Sequence, residues 1–135
     1  MYFAEPGHEN VKALLPGVDK VYSVQLARAE FASIILRKRR EKAASDIALA
    51  ELHEQFLDEV RDGHIQLIVP EDSEFEVIEA ALRTAPSSTF LRAADAMHLA
   101  AAAWRGFKEV YSNDRHFLAA APLFGLRGID VTSVG

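Results

Sequence analysis

The chain has 135 residues, half of them apolar and 26% charged, with no cysteine and a formal net charge of −5. That length and composition suit a single domain spanning residues 1–135 and exclude a disordered chain, while the missing cysteines exclude disulfides, thiolate metal sites and cysteine nucleophiles and fit a cytoplasmic setting. No apolar run reaches the roughly 18 to 20 residues of a membrane span, no signal-like start is visible, and the acidic balance argues only weakly against nucleic acid while suiting a cleft that recruits cations.

No repeat, low-complexity tract or linker interrupts the sequence. The first predicted strand is Val18 to Ser23, which follows Pro16-Gly17. A helical pattern from Leu26 to about Arg40 carries Phe31, Ile34 and Ile35 and ends in a basic run. Ser45 is placed to cap a second helix to Arg61, with Leu49, Leu52, Phe56, Leu57 and Val60 at helical spacing. His64 to Val69 forms a strand between Gly63 and Pro70, and Asp72 to about Arg83 a third helix. Leu91 to Arg105 is alanine-rich, which favours a closely packed helix. Val110-Tyr111-Ser112 is a strand, Arg115 to Ala121 a short helix ending at Pro122, and Ile129 to Thr132 a last strand. Gly125 and Gly128 are expected in turns, and Trp104, Phe107 and Phe124 in core or edge packing. Strands alternating with helices predict a three-layer α/β/α sandwich on a mostly parallel sheet. Ligands of such sheets bind beyond the carboxyl ends of the strands.

Three carboxylates occupy that region. Glu30 lies about a turn into the first helix, Asp95 lies among alanines early in the fourth, and Asp114 directly follows a strand. Charges in apolar stretches are costly unless paired or metal-bound, and hard cations such as Mg²⁺ take oxygen ligands. Each also has an ordinary structural reading: Glu30 as a helix charge, Asp95 paired with Arg92 one turn back, Asp114 as a helix cap.

Their order and setting carry a resemblance. Leu26-Ala27-Arg28-Ala29-Glu30-Phe31, then Leu91-Arg92-Ala93-Ala94-Asp95-Ala96-Met97-His98-Leu99-Ala100, then Tyr111-Ser112-Asn113-Asp114-Arg115-His116-Phe117 resemble the PIN-domain family over nearly the whole chain. The nearest subgroup is that of the VapC-type toxins of bacterial toxin–antitoxin pairs, which the tail from Ala119 to Ile129 also resembles. The resemblance implies a metal-dependent endoribonuclease in which Glu30, Asp95 and Asp114 bind Mg²⁺ or Mn²⁺ and Ser112 assists by hydrogen bonding. It also implies an RNA substrate, a cognate antitoxin and a homodimer, with the apolar faces around Phe31, Ile34 and Ile35 as the expected contact.

One part of the pattern has no counterpart. The family begins with an apolar strand ending in an Asp, and segments like Tyr2-Phe3-Ala4-Glu5-Pro6-Gly7 follow that Asp by about ten residues in relatives. On this reading the first central strand and its Asp are missing. The Val21 strand would then pair directly with the Val110 strand or borrow one from another chain. A start placed too far downstream is the leading explanation, gene decay or a rebuilt sheet the alternatives. Without that Asp the chain is expected to bind metal weakly and cleave poorly, and a catalytically inactive module that binds an antitoxin or itself is the competing function.

Arg37-Lys38-Arg39-Arg40 is the one basic run. It suits RNA phosphates, but it also suits the negative end of a helix dipole, and the latter is favoured. His98, three residues after Asp95, is read as a helix histidine before a partner for a site carboxylate.

Overall fold

The computed structural model describes residues 2–4 and 20–132. Its strands are β1 (Tyr2–Ala4), β2 (Val21–Val24), β3 (Ile65–Ile68), β4 (Glu109–Ser112) and β5 (Arg127–Asp130). The helices are α1 (Ala27–Arg40), α2 (Asp46–Arg61), α3 (Asp72–Thr84), α4 (Ala93–Trp104) and α5 (Arg115–Ala120), with a 3₁₀ turn over Ala121–Phe124. The sheet runs β3-β2-β1-β4-β5 and every neighbouring pair is parallel. It is the α/β sandwich the sequence predicts.

The expectation of an empty central slot is corrected. Tyr2–Ala4 lies between β2 and β4, with Phe3 opposite Tyr22 on one side and Val110 on the other. The physical reason is the cost of leaving the slot open: each orphaned interior backbone group forfeits about 1–3 kcal/mol. Three residues of an apolar run suffice to pair both neighbours, and in a parallel sheet such a strand can be apolar on both faces. Phe3 and Ala4 are buried accordingly, Phe3 fully. Its ring sits edge-on to Phe107, 5.3 Å away, and Phe107 also meets Tyr22 at 5.4 Å. Val18 and Asp19, assigned by sequence to the next strand, lie outside the described residues.

Helix α4 is the central buried element. Asp95, Ala96 and the run from His98 to Ala102 are buried in it, which explains its alanine content: small side chains let the helix approach its neighbours. Phe31 of α1 stacks on Phe56 of α2, with rings 4.4 Å apart and 8° from parallel. Phe31 is thereby spent inside the subunit, which removes it from the surface expected to make a dimer. Trp104, expected in packing, is half exposed.

The last strand begins at Arg127, two residues before the predicted one, so Gly128 lies in β5 and not in a turn. A Cβ there would come within 2.9 Å of the Leu118 backbone oxygen, so only glycine lets α5 lie this close to the sheet. Ser45 caps α2 as predicted, accepting a hydrogen bond from the Ala48 amide at 3.1 Å. Helix α1 ends in paired backbone bonds, Lys42 N–H to Arg39 and Ala43 N–H to Lys38, with Lys42 at φ 56°. Helix α2 ends the same way, but with Gly63 in the left-handed position. Lys42→Gly is therefore expected to stabilise the fold by about 1 kcal/mol, read as a higher urea midpoint at unchanged slope. A lower midpoint would mean that the lysine side chain contributes more than its backbone strain costs.

Candidate functional site

The strand order reverses at β1: β2 and β3 are added on one side, β4 and β5 on the other. In open parallel sheets such a reversal opens a crevice at the carboxyl edge, where ligands bind. Three segments reach this edge. Helix α1 begins just after β2, Asp114 follows β4 by two residues, and α4 must begin here because it delivers the chain to the opposite end of β4.

Glu30 lies in the first turn of α1, where the helix dipole favours a carboxylate. Its neighbour Phe31 anchors that turn on α2. Across the site, His98 Nε2–H donates to Glu30 Oε1 at 2.6 Å. An ionised carboxylate can only accept, so Nε2 carries the hydrogen. His98 is completely buried and lies 6.4 Å edge-on from Phe3. A chain of contacts thus runs from the central strand through α4 to the Glu30 carboxylate. The His98 Nδ1 atom finds no hydrogen-bond partner among the described residues, and neither does the buried Ser23 hydroxyl on β2. Of the two readings of His98 that the sequence allows, the structure displays the contact with Glu30.

Asp95 lies in the first turn of α4, one turn before His98, and is 9% exposed. Asp114 caps α5: its Oδ1 accepts from the His116 amide at 2.8 Å and the Phe117 amide at 3.4 Å. The Asp114 amide in turn donates to the Ser112 hydroxyl at 2.9 Å, and Ser112 is buried. Ser112 therefore holds the turn that presents Asp114. Beside it in register, Asp130 ends β5 and accepts from the Thr132 amide and hydroxyl. Sequence reading did not single out Asp130, although an Asp closing a short strand was the available signal.

Glu30, Asp95, Ser112 and Asp114 share one edge of the sheet. Among the described residues, however, no three His, Asp or Glu side chains converge as a metal cluster. Residue 5, which follows β1 directly, lies outside them. The donor chemistry still fits a hard cation, since Mg²⁺ commonly takes one or two carboxylates, several waters and substrate phosphates. The basic run Arg37 to Arg40 occupies the last turn of α1. At 1.5 Å per residue it stands about 10 Å or more along the helix from Glu30, away from the carboxyl edge.

Fold and edge together define a parallel α/β protein with carboxylates gathered at its switch point. The PIN domain model matches residues 1–122, and the chain belongs to that family. Its members are typically nucleases and generally use divalent metals such as Mg²⁺. No curated protein and no solved structure matches the chain. Among the described residues no helix is long and apolar enough to cross a membrane.

Proposed function

We propose that residues 1–135 act as one PIN domain that hydrolyses RNA phosphodiesters internally, in the manner of a VapC-type toxin. The observation that carries this reading is the His98–Glu30 hydrogen bond. It fixes a carboxylate from α1 beside the helix face that bears Asp95, at the carboxyl edge of the sheet. Glu30, Asp95 and Asp114 would hold Mg²⁺ or Mn²⁺, which when bound supplies an activated water and neutralises charge on the phosphate. The protein groups do the rest. Ser112 keeps the Asp114 turn in place, His98 keeps Glu30 in one orientation, and the burial of Asp95 limits water at its carboxylate.

The decisive experiment is cleavage of a mixed RNA by the 135-residue chain with Mn²⁺ or Mg²⁺ and an EDTA control. Slow internal cleavage that EDTA abolishes is expected, slow because the Asp of the family's first strand has no counterpart, and its absence would sink the enzymatic reading. A second reading has its own support: Glu30 Oε1 and Asp114 Oδ1 are already engaged within the protein, and no three-ligand cluster forms among the described residues. It makes the chain a binding module that takes an antitoxin, whose Arg or Lys would enter among the carboxylates, or a second copy of itself. The expected homodimer would then use the half-exposed Leu36 and neighbouring apolar residues of α1 instead of Phe31.

On the enzymatic reading, His98→Ala should weaken Mn²⁺ affinity by about 10- to 100-fold, because Glu30 loses the group that orients it. Electron paramagnetic resonance of free Mn²⁺ measures this directly. His98→Gln, which retains a donor, should recover part of the affinity. Equal affinity in all three proteins would confine His98 to packing.

A further inference from the structure

Beside the acidic edge lies a patch that the carboxylates do not explain. Phe90, two residues before the N-cap of α4, is 60% exposed. Its ring lies 4.7 Å from that of His116, at an interplanar angle of 39°. His116 is exposed as well, and its amide is the donor that binds Asp114 Oδ1. The two aromatic rings therefore join the segment leading to Asp95 with the segment following Asp114.

Arg92 and Arg115 flank them, both exposed. Neither suits its helix. Arg92 is the N-cap of α4 and makes no side-chain cap bond, where Ser, Thr, Asn or Asp would serve. Arg115 is the first residue of α5. Cations at helix N-termini oppose the dipole. A large exposed ring and two cations at unfavourable ends thus coincide in one place, and departures from local rules concentrate at functional sites.

We infer that Phe90, backed by His116, is a stacking platform for a nucleobase of single-stranded RNA, with Arg92 and Arg115 meeting the adjoining phosphates. The inference rests on the ribonuclease reading and deepens it. Single-stranded RNA combines flat π faces with regularly spaced negative charge, and aromatic rings with arginines recognise both. A duplex keeps its bases stacked inside and offers none to the ring. The platform adjoins Asp114, so a base held there would carry its own phosphate to the acidic edge.

The test is fluorescence anisotropy of a fluorescein-labelled oligouridylate in Ca²⁺, which keeps divalent charge without the usual cleavage metals. Phe90→Ala should weaken binding roughly 5- to 100-fold, the effect of losing one stacked base. Phe90→Tyr should bind within about threefold of the wild type, since its ring stacks equally well. An abasic strand of the same length should bind wild type and Phe90→Ala alike. Thermal melts of both variants should match the wild type, as the side chain is largely exposed. If Phe90→Ala binds the oligouridylate as tightly as the wild type, or loses the abasic strand in equal measure, the platform is overturned and the ribonuclease reading stands. If the wild type itself ignores single-stranded RNA, both fall.

Discussion

Asp95→Asn is expected to lower metal-dependent RNA cleavage by about 100-fold or more. Substituting residues that only orient metal ligands already costs 10- to 100-fold, so removal of a ligand's charge should cost at least as much. The substitution is nearly isosteric, and Asp95 is buried in the first turn of α4 beside the buried Ala96. The amide can keep the packing while giving up the negative charge that attracts a cation. Cleavage should therefore fall to the EDTA baseline while the circular dichroism spectrum is retained and the melt moves little. Initial rates at saturating Mn²⁺ read the effect. A variant as active as the wild type would remove Asp95 from the chemistry, and an inactive wild type would favour the binding module.

The largest stability effect is expected at Glu74, far from any catalytic reading. Its side chain is 1% exposed in the interface of α3 and α4. Arg105 Nη1 meets Oε1 at 2.5 Å and Nη2 meets Oε2 at 3.2 Å, while the Glu71 amide donates to Oε2 at 2.5 Å. Arg105 also donates to the carbonyls of Ala101 and Val69. Glu74→Ala leaves the guanidinium and the Glu71 amide without this carboxylate at once. The cost of breaking a buried pair from one side is about 3 kcal/mol. That is a large share of the roughly 5–15 kcal/mol that holds a domain together. Urea unfolding of Glu74→Ala should show the loss, and Arg105→Met should show a comparable one, because it leaves the buried Glu74 carboxylate with only the Glu71 amide. A Glu74→Ala unfolding free energy within about 0.5 kcal/mol of the wild type would show the pair to be dispensable.

Glu74 and His98 illustrate where reading the sequence stops. Glu74 belongs to an ordinary amphipathic helix and His98 to an alanine-rich one, and nothing local distinguishes Glu74 from Glu76 or Glu79. Their partners are Arg105, 31 positions away, and Glu30, 68 positions away. Contacts at that separation are made by the sheet's strand order and leave no periodic trace. Phe90 and His116 are likewise 26 positions apart in sequence and meet only because α4 and α5 both begin at the same edge of the sheet.

What the sequence determined by itself was local. Hydrophobic periodicity and punctuation by Gly, Pro and Ser set the helices, down to the Ser45 cap. Strand–helix alternation set the parallel α/β class, and the order of Glu30, Asp95 and Asp114 pointed to the carboxyl edge. Tertiary structure decided what depends on mutual pairing. Tyr2–Ala4 reads as a segment that follows a missing first strand until the sheet's unpaired backbone requires a central strand, and then three apolar residues are enough. Phe31 reads as a surface contact until α2 brings Phe56 onto its face. Gly128 reads as a turn until Leu118 approaches it. In each case a residue's own propensity leaves the choice open, and the cost of an unpaired amide, an exposed ring or a steric overlap closes it.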